Sequence, residues 1–153
     1  MRKFKFNKNF QPLPSNEGDE FFPNGIFEFN ITKLLAFIKA NKDKFQVEEL
    51  AIKDLRIFPS RNLNESTIKD ANLLNPIILA EISPRQFNVI DGRHRLEKAY
   101  RDGMNKILTY RVFAEQHILF LTSTKAYKAF VEYWNSKLKT EERTNVIRKI
   151  SLS

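Results

Sequence analysis

The apolar positions change period several times along the chain, and each change marks an element. Ile31, Leu34, Leu35 and Ile38 fall at i, i+3, i+4 and i+7, which predicts a helix over Ile31–Asn41 with Asn30 as its cap. Val47–Ile52 reads as a strand with one end wetted by Glu48 and Glu49. Asn62–Leu74 reads as a short helix, capped by Asn64 or Ser66, with Ile68, Ala71 and Leu74 facing inward. Pro76 bars further helix and opens the strand Ile77–Ile82. Ser83-Pro84-Arg85-Gln86 is a turn into the strand Phe87–Ile90. Leu96, Ala99 and Tyr100 then mark a helix that Gly103 closes, and Ile107–Val112 is the strand after it.

Past Phe113 the pattern is helical. Glu115–Leu121 reads as a short apolar helix, and Ser123 or Thr124 starts a longer one that reaches about Lys139. Tyr127, Phe130, Val131, Trp134 and Leu138 share one face of it. Such a stripe is expected in the core, with a partner-binding face as the alternative. For Asn145–Ser153 an added strand and a frayed end are both open. Residues 1–25 hold Pro12, Pro14 and Pro23 around a Ser-Asn-Glu-Gly-Asp-Glu stretch, which predicts an irregular arm. Its phenylalanines at 4, 6, 10, 21 and 22 predict that it packs on the domain. The expected fold is therefore α/β (α+β): a small mixed sheet flanked by helices, with a C-terminal helical extension. The expected division is an arm over 1–25, a domain over 26–113, and an extension over 114–153 packed on the same domain.

Composition narrows the function classes. A chain of 153 residues suits one domain with a moderate core. The absence of cysteine excludes disulfides and thiolate metal sites. The apolar runs are far too short to span a membrane, and the basic N-terminus lacks a secretory apolar core. A cytoplasmic protein that does not engage membranes is the simplest expectation. The net charge of +8 attracts polyanions. The 26 basic residues are interspersed with 18 acidic ones, however, so the bias is diffuse. Small-anion binding is favoured over dedicated nucleic-acid binding, and any DNA binding is expected to be weak and non-specific.

The most informative stretch is Val89–Gly103, V-I-D-G-R-H-R-L-E-K-A-Y-R-D-G. A strand runs into Asp91-Gly92, and Arg93, His94 and Arg95 occupy the first turn of the following helix. Unpaired N–H groups and the positive dipole end favour an anion there. Two arginines and a histidine at that end make local sense around phosphate, although they also fit a solvated surface.

This stretch resembles the ParB/sulfiredoxin-like superfamily. Its closest counterpart is the D-G-H-H-R motif of free serine kinases, here Asp91-Gly92-Arg93-His94-Arg95. Ala51-Ile52-Lys53-Asp54-Leu55-Arg56 looks like the family's first strand and turn. Asn75–Ala80 looks like its Pro-initiated central strand, and Ile107–Val112 like the strand after the motif helix. The likeness covers residues 47–113. It implies that the turn binds a nucleotide, a nucleoside di- or triphosphate with Mg, and that small-molecule phosphotransfer is one outcome. A non-catalytic ParB-like module in DNA maintenance or a mobile element is the other. Sulfiredoxins need a cysteine where Arg93 stands, so thiol redox chemistry is excluded. Partition proteins carry a longer helical segment and a DNA-reading domain for which there is too little chain here.

The resemblance assigns roles residue by residue. Arg95 contacts phosphate, His94 donates to it, and Gly92 lets the backbone approach the ligand. Arg93 replaces the family's histidine and adds a cation. Asp91 is either the helix N-cap or a catalytic group that holds Mg or orients a hydroxyl. Glu65 and Arg61 lie near the position of the kinases' catalytic glutamate, with solvated surface residues as the plainer reading. His117 lies alone in an apolar context and is expected to be structural; no zinc-ligand spacing, nucleophile elbow or Walker loop occurs.

Overall fold

The computed structural model describes residues 2–24, 26–55 and 63–152. The elements run β1 (Phe21–Asn24), β2 (Phe27–Asn30), α1 (Ile31–Ala40), β3 (Val47–Ala51), α2 (Ile52–Leu55) and α3 (Glu65–Asp70). They continue as β4 (Ile77–Ser83), β5 (Gln86–Asp91), α4 (Arg93–Arg101), β6 (Lys106–Val112), α5 (Ala114–His117), a 3-10 turn at Ile118–Phe120, and α6 (Thr124–Leu152). The chain is mixed α/β. Its main sheet has the order β3-β6-β4-β5, with β4 and β6 parallel and both outer pairs antiparallel. β1 and β2 form a separate antiparallel pair.

Strand alternation divides the core between the two faces of the sheet. Ile78, Ala80, Ile82, Ile90 and Val112 face α1 and α6, where Leu34, Ile38, Phe130 and Trp134 complete the larger cluster. Ile77 and Ile107 face the other way, against Leu96 and Ala99 of α4 and Ile52 of α2. The central strand β4 is covered on both sides along nearly its whole length.

Local signals account for most boundaries. Asn30 caps α1, its side chain accepting from the Lys33 N–H at 3.0 Å. Asn64 does the same for α3 through Thr67 N–H at 3.1 Å. Gly103, at φ 76°, ends α4, with its N–H bonded to Tyr100 O and Met104 N–H to Ala99 O.

Several elements depart from the expectation. Ile52 leaves the strand and starts α2. The helix expected over Asn62–Leu74 spans Glu65–Asp70, since Ala71 is already extended; Leu74, outside its periodicity, is 79% exposed. Asn62 lies outside the described residues. Tyr100 is exposed because the buried stripe of α4 leans toward Glu97 and Ala99. The first 25 residues include the short strand β1, and Phe10 is buried while Phe6 and Phe21 stay exposed. α6 continues through the tail in helix, where no proline or glycine interrupts it. Tyr127, Phe130, Val131 and Trp134 are buried, so this stripe is core. Among the described residues no helix is long and apolar enough to cross a membrane.

Candidate functional site

The Asp91-Gly92 break sits where β5 hands over to α4. A bulge between Ile78 and Leu79 in the β4–β5 register places Asp91 opposite Ile78. Asp91 ends the strand and does not cap the helix. The N-cap is Gly92, in the left-handed region at φ 100°, with no side-chain cap bond. A Cβ there would lie 2.4 Å from Ile77 Cγ2 and 3.0 Å from Arg95 Nη2. The glycine thus lets the turn close against β4 and Arg95, a packing role that the backbone alone would already demand.

The motif cations have three different environments. Arg95 is drawn inward: Nη1 donates to the carbonyls of Asn75 and Pro76, each at 3.1 Å, and Nη2 donates to Asp91 Oδ2 at 2.9 Å. It ties the start of β4 to the end of β5. His94 Nε2 accepts from the Asn64 N–H at 3.2 Å, which leaves Nδ1 as the donor of the neutral ring. That bond joins the first turn of α4 to the cap of α3. Arg93 is exposed and has no partner among the described residues.

α3 forms the opposite wall. Lys98, one turn along α4, donates from Nζ to the carbonyls of Lys69 and Ala71 at 2.8 and 2.9 Å, fixing the C-terminal end of α3. Between the two helices opens a polar cleft of about 430 Å³. Asp91, Gly92, His94 and Arg95 border it from the motif, and Ser66, Thr67 and Asp70 from α3. Asn72 and Asn75 close the end. The N–H groups of the first turn of α4 have no acceptor within their own helix.

Glu65 does not border this cleft. Its carboxylate is held by Arg101 at the other end of α4, receiving Nη1 at 2.6 Å and Nη2 at 3.2 Å. Those bonds hold its carboxyl below the ordinary carboxylate range. Arg61 lies outside the described residues. The cleft residues of α3 and the loop after it had no clear sequence signal beyond the Asn64 cap and the Asn75-Pro76 pair. Their proximity to the motif depends on how α3 docks.

Asp70 and Asp91 are the cleft's two carboxylates. Mg takes one or two carboxylates together with phosphate oxygens, so the donor chemistry fits a metal that arrives with a nucleotide. Among the described residues no group of three or more His, Asp or Glu side chains could hold a metal without such help.

His117 is remote from the cleft and fully buried on α5. Its Nε2 lies 2.6 Å from the carbonyl of Glu81, and Phe29 and Phe130 meet its ring edge-on. Burial pushes its pKa down to about 4. It is a structural residue.

No family model matches the chain, and no curated protein or solved structure matches it.

Proposed function

We propose that the chain binds a phosphorylated small ligand, a nucleoside di- or triphosphate with Mg, in the cleft between α3 and α4, as its resemblance to ParB/sulfiredoxin-like proteins implies. The observation that carries this reading is the first turn of α4. Its N–H groups are uncapped by any side chain and open beside a polar cleft, and the exposed Arg93 in the same turn has no partner among the described residues. Phosphate seated there would accept from the backbone of residues 93–95 and from Arg93. Asp70 and Asp91 would share the metal, and Ser66, Thr67, Asn72 and Asn75 would meet the polar remainder of the ligand.

A non-catalytic binding module is the second reading, and one observation favours it over phosphotransfer. Asp91 is already neutralised by Arg95, and Glu65 is committed to Arg101 outside the cleft. Neither carboxylate that the sequence nominated stands free as a base.

Calorimetry with ADP, ATP and pyrophosphate, with and without Mg, tests the binding. Arg93→Ala removes no contact among the described residues and should weaken binding about tenfold or more. Equal affinity of the two proteins would remove the motif turn from the site. Phosphorus NMR on ATP, Mg and a panel of small hydroxyl compounds, free serine included, then separates the readings. Turnover that Asp91→Asn abolishes would establish phosphotransfer, and no turnover with any panel member would leave the binding module.

A further inference from the structure

The opposite end of β4 carries a second polar centre. Glu81 is 1% exposed, yet its carboxylate meets Arg2 from the arm. Arg2 Nη1 and Nη2 donate to Glu81 at 2.8 and 2.5 Å, and Nε and Nη2 donate to Glu115, both at 2.7 Å. The guanidinium also lies over Trp134 at 5.0 Å and Phe113 at 5.7 Å. Two carboxylates and two rings thus recognise a flat, forked cation, a geometry that an ammonium does not match. The N–H groups of Arg85 and Ala114 hold Glu81 from behind, at 2.9 and 3.2 Å. Burial pushes the Glu81 carboxyl up, but Arg2 and these two N–H groups outweigh it and keep the group below the ordinary carboxylate range.

The arm that delivers Arg2 is held differently from the strands. Phe4 exchanges bonds with the Asn135 side chain at 2.9 and 2.8 Å, Asn7 N–H donates to Tyr127 Oη at 3.0 Å, and Trp134 Nε1 donates to Arg2 O at 2.7 Å. Each of these bonds uses a side chain of α6, and none belongs to a β ladder. Lys3 and Lys5 between these anchors, and Lys8 just after them, are exposed. Phe4 also packs edge-on against Phe130 and Trp134, at 6.1 and 5.4 Å, and Phe10 stacks on Tyr127 at 3.9 Å, so opening this segment gives up ring contacts with α6 but breaks no β-ladder bond. Opening would leave the buried Glu81 carboxylate without its cation, which is costly until another takes its place.

We propose that the N-terminal arm is a releasable latch, and that Glu81, Glu115, Phe113 and Trp134 form a guanidinium seat that takes an arginine side chain from another polypeptide when Arg2 leaves it. The seat opens to solvent on one side, since the Arg2 side chain is 38% exposed. A second chain therefore has access to it. The arm acts as an intramolecular competitor that keeps the seat filled.

Trp134 is the chain's single tryptophan and reports on the seat directly. In Arg2→Ala, methylguanidinium should produce a saturable change in Trp134 fluorescence, with methylammonium at least about tenfold weaker. Adding Glu115→Gln should weaken the response several-fold. A short arginine peptide should bind Arg2→Ala and compete poorly with the arm in the wild type. Equal responses to the two cations, or no saturable response, would overturn the seat. Equal peptide binding by wild type and Arg2→Ala would overturn the competition. Hydrogen exchange on the wild type tests the latch without any variant. The Phe4 and Asn7 amides should exchange at least about tenfold faster than those of β4 and β6, and equal protection would overturn release.

Discussion

Lowering the pH from 7 to 5 should destabilise the protein through His117 before its carboxylates begin to matter. The ring is enclosed by Phe29, Phe130 and the backbone of Glu81, and among the described residues Nδ1 has no hydrogen-bond partner. A proton placed there would put a charge into apolar surroundings, so burial lowers the pKa from 6.5 to about 4. Between those values the unfolded chain binds a proton that the folded chain refuses. The stabilisation is complete above pH 6.5, declines as the pH falls, and is lost below about 4. The full shift corresponds to about 3 kcal/mol, of which about 2 kcal/mol is gone at pH 5. With a denaturant slope of about 1.5 kcal/mol per molar, the urea midpoint should fall by about 1 M between pH 7 and pH 5. Urea titrations at pH 7, 6 and 5 measure it. His117→Gln keeps a donor for the Glu81 carbonyl and removes the titrating ring, so it should be less stable at pH 7 and nearly flat across this range. A wild-type midpoint that stays constant, or a variant that follows the wild type, would refute the account. Glu81, Glu115 and Asp19, all held below the ordinary carboxylate range, add losses of the same sign at lower pH.

Gly92→Ala forces a Cβ into Ile77 at a positive φ, and should cost about 2 kcal/mol or more in a denaturant titration; wild-type stability would show that the turn can relax. Trp134→Ala removes a fully buried ring and the donor to Arg2 O, and should cost about 3–5 kcal/mol; an unchanged midpoint would mean the α6 stripe is not core. Random duplex DNA should bind weakly and lose affinity steeply between low and physiological salt, measured by fluorescence anisotropy; a sequence-selective complex that survives physiological salt would contradict the diffuse-charge argument.

The sequence by itself determined the features whose causes lie within a few residues. The Asn30 and Asn64 caps, the strand after Pro76, the break at Asp91-Gly92 and the stop at Gly103 all rest on local dihedral limits and short hydrogen bonds. The mixed α/β character followed from the change between two-residue and helical periods. The candidate site was legible only along one strand-turn-helix segment. Its second wall depended on Lys98 reaching back to Lys69 and Ala71, and on His94 meeting the cap of α3 thirty residues earlier. The same docking turned Glu65 toward Arg101 and away from the cleft. Arg95, expected to contact phosphate, also ties the chain internally, because packing brings the carbonyls before β4 within its reach. Arg2 and Glu81 are 79 positions apart, so nothing in the local pattern of either announced their pairing. Periods and caps are set by the chain's nearest neighbours, whereas partners of buried charge are chosen by which surfaces packing brings together. Only the tertiary structure decides that.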